Sequence, residues 1–226
     1  MLCDAELFAH QTEHLSEAAD VSVGDLTRDD SVAGMAQSAL DAAPERFSLA
    51  GLSLGGIVAM EVMRREPGRV ERLALIDTTP LVPRPDQYET WDEFEAMTAE
   101  GRFMEVTTGR LMPTLIHADR RDDTALTGTI ERMAENVGEE AFLRQLSAQR
   151  GRPDSRESLS GIECPTLVLC GREDALCPYP LHEEMAGTIP GATLVPVEGC
   201  GHLSSLERPE TVTAVLWYWL AETGRG

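Results

Sequence analysis

Apolar and polar positions in the first third of the chain switch repeatedly between a helical and an extended period. Leu7, Phe8, Gln11, His14, Leu15 and Ala18 recur every three or four residues, which predicts an amphipathic helix over 4–18. The short run Val21-Ser22-Val23 within 19–26 reads as a strand. Asp30 or Ser31 can then cap a helix that ends at about Ala42, before Pro44. Phe47–Ala50 reads as a strand, Leu54–Arg65 as a nearly all-apolar and therefore buried helix, and Leu73–Ile76 as a fully apolar strand. Strands that alternate with helices predict an α/β fold, a mostly parallel sheet with helices on both faces. Residues 80–158 break the rhythm. Pro80, Pro83 and Pro85 open a loop, and a helical pattern rich in Met, Glu and Arg follows. Strand periodicity returns at Thr166–Cys170 and Thr193–Val197, and a last helix is expected from about Pro209 to Ala221. The expected division is a core of 1–79 and 159–226, with 80–158 inserted over the sheet.

Charge narrows the function classes. The 226 residues carry 39 Asp+Glu against 19 basic residues, all Arg, for a net charge of −20. Such a field repels phosphate backbones and anionic lipid, so neither nucleic acid nor a membrane surface is expected as a partner. The five cysteines are odd in number and form no CxxC pair, which favours reduced, packed thiols over disulfides or a zinc site. No signal peptide and no uninterrupted apolar span of membrane length is visible, so a soluble, cytoplasmic protein is expected, with a homo-oligomer left open.

Gly51-Leu52-Ser53-Leu54-Gly55 is a GxSxG pentapeptide between a predicted strand and a predicted helix. In that setting the chain turns so sharply that the serine backbone is strained and the flanking positions, Gly51 and Gly55, must lack bulk. The strain lifts the hydroxyl clear of the sheet, and the following helix N-terminus favours a developing anion. Two further loops follow predicted strands: Gly171-Arg172-Glu173-Asp174 and Gly199-Cys200-Gly201-His202. Ser53, Asp174 and His202 thus fall, in that order, just past the C-terminal ends of strands, the sheet edge where ligands bind. A serine hydroxyl needs an imidazole to take its proton, and the imidazole needs a carboxylate to fix its tautomer. The bland readings are an ordinary turn serine, an Asx cap at Asp174 and a solvated loop histidine. Asp77, at the end of the strand 73–76, is a competing acid, with Asp174 preferred. His10, His14, His117 and His182 are poorer bases, and Cys200 reads as a packed loop cysteine. No metal or nucleotide cofactor is expected: there is no GxGxxG after a strand, no P-loop and no HExxH.

GLSLGG at 51–56, LALIDTTP at 73–80, PTLVLCGREDALCP at 165–178 and GCGHLSSLERPETV at 199–212 together resemble the α/β-hydrolase superfamily. The resemblance is to its cap-bearing esterases of the pimeloyl-carrier-protein methyl esterase and enol-lactonase type, and covers nearly the whole chain. It implies a Ser53–His202–Asp174 triad, a helical cap at 80–158, and hydrolysis of a small acyl ester, thioester or lactone through an acyl-serine. The oxyanion donors would be the N–H of Leu54 and one near Met1 or Leu2, for which Leu2 is chosen. Trp91, Phe94, Met97, Met112 and Leu115 are candidate substrate-binding residues, against the plainer reading that they dock the cap. The family also places a further strand ahead of Met1, between the strands at 19–26 and 47–50. Its absence keeps open an alternative, a weakly active or non-catalytic ligand-binding protein of the same fold.

Overall fold

The computed structural model describes residues 1–221. Its sheet has four strands, β1 (Phe47–Leu52), β2 (Val70–Ile76), β3 (Thr166–Gly171) and β4 (Thr193–Val197), in the order β1-β2-β3-β4 with every pair parallel. Parallel strands need crossovers, and α3 (Leu54–Arg65) supplies the one from β1 to β2, while α1 (Ala9–Leu15) and α2 (Val32–Ala42) precede the sheet. Between β2 and β3 lie α4 (Pro85–Ala99), the short α5 (Phe103–Glu105) and α6 (Met112–Leu115), the long α7 (Thr124–Arg150) and α8 (Arg156–Leu159). After β3 come α9 (Tyr179–Thr188), α10 (Ser204–Glu207) and α11 (Pro209–Ala221).

Alternation along the strands sorts side chains to two cores. Leu73, Leu75 and Val168 face α2 and α3, packing with Met35, Ile57 and Met60. Ala74, Ile76, Leu167 and Leu169 face the other way, onto Leu7, Leu15, Val212 and Leu216 of the α1–α11 layer. This two-sided burial is why β2 and β3 read as continuous apolar runs. Ser31 caps α2 as expected, its hydroxyl accepting from Gly34 N–H at 3.2 Å. A kink at Gly138, with φ of 73°, divides α7.

One expected strand is absent. Residues 19–26 form no strand, and Val21 and Val23 are exposed. A strand exists only when a neighbour takes up its N–H and C=O groups, and among the described residues nothing pairs with the free edge of β1. The segment between β2 and β3 is helical as expected, but its apolar residues divide. Trp91, Phe94, Met97, Phe103 and Phe142 make a core of their own, whereas Met112, Ile116 and Ile130 join the core of the sheet. No helix among the described residues is long and apolar enough to cross a membrane.

Candidate active site

Ser53 sits between β1 and α3 with φ 53° and ψ −115°, a left-handed backbone conformation that a β-carbon disfavours. The turn holds because the chain approaches itself there: a Cβ on Gly51 would lie 2.2 Å from Gly55 O. The expectation that Gly55 is also required for space is corrected, since nothing lies within 4 Å of a Cβ built there. The crowded position is Gly56, whose Cβ would come 2.5 Å from Thr78 Oγ1. Thr78 follows β2, and its hydroxyl donates to Ser53 O at 2.7 Å, buttressing the strained residue from below.

Ser53 Oγ lies 2.9 Å from His202 Nε2, and His202 Nδ1 lies 2.8 Å from Asp174 Oδ2. The ionised carboxylate only accepts, so Nδ1 carries the proton and Nε2 is free to accept from Ser53. Asp174 uses both of its oxygens. Its Oδ1 accepts from Leu176 N–H and Cys177 N–H, closing an Asx turn, while Oδ2 holds the imidazole. Burial pushes the Asp174 carboxyl up, but the charge and hydrogen bond of His202 and the two backbone donors outweigh it and hold it below the usual carboxylate range. For His202 burial acts downward, and the charge and hydrogen bond of Asp174, with the charge of Asp77, carry it above the ordinary histidine value. Leu54 N–H belongs to the first turn of α3, where backbone donors have no carbonyl of their own helix.

Asp77 is fully buried and does not touch His202. Its Oδ1 accepts from Gly171 N–H at 2.8 Å, and its Oδ2 from Ser204 N–H and Oγ–H at 3.2 and 2.5 Å. It therefore ties together the loops that carry Asp174 and His202. Burial and the nearby Asp174 charge push Asp77 up to about 7. Glu207, a residue without a recognisable signal beyond the run SSLERPE, serves the same loop from the other side. It is buried and accepts from Gly201 N–H and His117 N–H, both at 2.8 Å. His202 N–H donates to Leu115 O at 3.0 Å, so the helical segment holds the imidazole loop directly.

Other expected site residues separate. Trp91, Phe94 and Leu115 line a cavity of about 1650 Å³ that opens over Ser53 and His202 and continues along the free edge of β1. Met97 and Met112 do not line it; helical periodicity turns Met97 toward Phe103 and Phe142, and Met112 toward the sheet. Leu2 is not an available oxyanion donor. Its N–H, at a residue with φ of 59°, is engaged by Gln145 Oε1 at 2.9 Å, and its side chain is buried. His182, set aside as a poorer base, is fully buried, its Nε2 accepting from Thr78 N–H at 3.0 Å. Cys200 is packed in its loop, and His10 and His14 stack on each other on the first helix, far along the chain from the site.

Parallel strands, a strained serine at a strand-to-helix turn and a buried histidine–aspartate pair past later strands define a hydrolase architecture. The chain belongs to the alpha/beta hydrolase family, whose profile matches residues 10–215, and is thus a hydrolase-family enzyme. It is similar to a pimeloyl-[acyl-carrier protein] methyl ester esterase of Nitrosomonas europaea, 29% identical over 80% of this chain and 74% of that protein. Among solved structures, a thermophilic esterase from Thermogutta terrifontis superposes with a TM-score of 0.84 at 26% identity, covering 96% of this chain and 85% of the other. The enol-lactonase of Burkholderia xenovorans gives 0.82 at 22% identity over 98% and 88%, a likeness that speaks for the fold.

Proposed function

We propose that the chain hydrolyses small carboxylic esters through an acyl-serine intermediate. Ser53 Oγ attacks the carbonyl carbon as its proton passes to His202 Nε2, while Asp174 keeps the imidazole oriented and stabilises its charge. Leu54 N–H faces the developing oxyanion. The tetrahedral intermediate collapses as His202 returns the proton to the leaving alkoxide. Water, deprotonated by His202, then attacks the acyl carbon, and Ser53 regains its proton as the acid leaves. The segment 80–158 acts as a cap, with Trp91, Phe94 and Leu115 facing the acyl or alkoxy part. The enzyme works in the cytoplasm on small molecules, without nucleic acid or membrane as partner.

The observation that carries this reading is the continuous Ser53–His202–Asp174 hydrogen-bond chain, at 2.9 and 2.8 Å. The ester specificity of the relatives named above supports the substrate class. Leu2 N–H, engaged by Gln145, does not supply the second oxyanion donor, and the loss of one donor typically lowers turnover by ~100- to 1,000-fold. Slow turnover is therefore expected, and a ligand-binding protein of the same fold is the second reading. The test is intact-mass detection of fluorophosphonate labelling. A single adduct on the wild type and none on Ser53→Ala supports the hydrolase; no adduct on a folded wild type refutes it and leaves the binding protein.

A further inference from the structure

Among the described residues Arg152 is the only buried arginine, 6% exposed in a chain of net charge −20. Its partners are all neutral: Nε donates to Leu81 O at 2.8 Å, Nη1 to Gln149 Oε1 at 2.7 Å and Nη2 to Gln87 Oε1 at 2.9 Å. Among the described residues no carboxylate answers its charge, whereas exposed arginines such as Arg84 and Arg110 pair with Asp86 and Glu93. A guanidinium has five N–H donors, so two remain after these three bonds, one on each terminal nitrogen. Gln149, itself 6% exposed, turns its oxygen to Arg152, and its NH₂ group finds no protein acceptor among the described residues. Both residues line the cavity that holds Ser53 and His202. Arg152 also lies within electrostatic reach of Cys177, which abuts the triad, with its Sγ within 4.8 Å of the Asp174 and His202 donor atoms. The Trp91 ring, 5.6 Å from the guanidinium carbon, fixes the plane of the fork.

A buried cation without a counter-ion is costly, and convergent donors left over on a cavity wall are the usual form of an anion subsite. We infer that Arg152 and Gln149 form a subsite for an anionic oxygen group, carboxylate or phosphate, carried by the ester substrate. The inference rests on the hydrolase reading and adds the substrate class to it: an ester whose far end is negatively charged. Long-range attraction cannot select such a molecule, because the protein as a whole repels it; the selection is local and made by the fork.

The test compares kcat/KM for methyl alkanoates, monomethyl dicarboxylates and ω-phosphoryl methyl alkanoates of matched chain length, as ratios within each variant so that loss of folded protein cancels. The wild type is expected to prefer an anionic ester over its neutral counterpart by about 10- to 100-fold, the worth of charge-assisted hydrogen bonds. Arg152→Met brings that ratio toward one, chiefly through KM, and Arg152→Lys retains part of it. Whichever of the carboxylate and phosphate arms is larger identifies the anion. Should Arg152→Met fail to fold, Gln149→Leu, which keeps the cation, is expected to lower the ratio by a smaller factor. A wild type indifferent to charge, or a ratio that no variant changes, overturns the subsite. Binding separates this from failure of the hydrolase reading: free dicarboxylates or alkyl phosphates raise the Tm of Ser53→Ala, and the rise is lost on adding Arg152→Met. Binding without turnover keeps the subsite and refutes the hydrolase; no binding and no preference overturns the subsite.

Discussion

Adjacent glycines at the start of α3 should respond oppositely to the same substitution. In Gly56→Ala the new methyl carbon meets Thr78 at 2.5, 2.6 and 2.7 Å from Oγ1, Cβ and Cγ2. Comfortable contact requires about 1 Å more at each atom. Thr78 cannot swing away freely, being fully buried with its N–H on His182 Nε2 and its hydroxyl on Ser53 O. Overpacking of this kind costs about 1–3 kcal/mol and loss of the Thr78–Ser53 bond about 1 more, against a helix-propensity gain of about 1. Gly55→Ala meets no atom within 4 Å and keeps only the gain. The two variants should therefore differ by about 2–4 kcal/mol, Gly56→Ala being the less stable, as read from urea midpoints at unchanged m. Because Thr78 supports the strained Ser53, Gly56→Ala should also label more slowly with fluorophosphonate. Equal midpoints for the two variants, or a more stable Gly56→Ala, would refute the crowding argument.

Three further outcomes are expected. On the proposed mechanism His202 must be neutral to take the Ser53 proton, and its raised pKa moves the acid limb of kcat/KM up from that of an ordinary histidine; Asp174→Asn should move that limb downward as well as lowering the rate. Burial pushes His182 from 6.5 down to about 4, so between those values the unfolded chain binds a proton that the folded chain refuses. Stability is then lost as the pH falls through that window, by up to about 3 kcal/mol, and denaturation at several pH values should show this contribution absent from His182→Gln. Glu207→Leu strands the buried Gly201 N–H and the partly buried His117 N–H, and thermal or urea unfolding should show a loss of about 2–4 kcal/mol together with slower labelling of Ser53.

Local chemistry in the sequence determined a good deal. Four short runs, each followed by turn residues or a helical period, were enough to place β1 to β4 and the helix Leu54–Arg65, and β2 and β3 read most clearly because burial on both faces leaves them no polar alternation. The order of Ser53, Asp174 and His202 after strand ends was legible for a related reason: in a parallel sheet every strand delivers its following loop to the same edge. What the sequence could not carry were relations between residues distant in the chain. The extended segment at 19–26 has strand-like residues, but a ladder depends on a neighbour, and only the assembled sheet shows that β1 ends it. Met97 continues the helical spacing of Trp91 and Phe94, and Met112 opens the separate helix α6; which of them meets the cavity was decided by how the helices roll against each other. Gly56, rather than Gly55, is the crowded glycine because Thr78 arrives there from β2. Arg152 reads as one polar residue in a return loop; its burial among Leu81, Gln87 and Gln149, with no acid to answer it among the described residues, exists only once α4, α7 and the loop after β2 are brought together. Patterns of period and turn are properties of a few neighbouring residues, whereas burial, register and charge pairing belong to contacts that the chain makes only after it has folded.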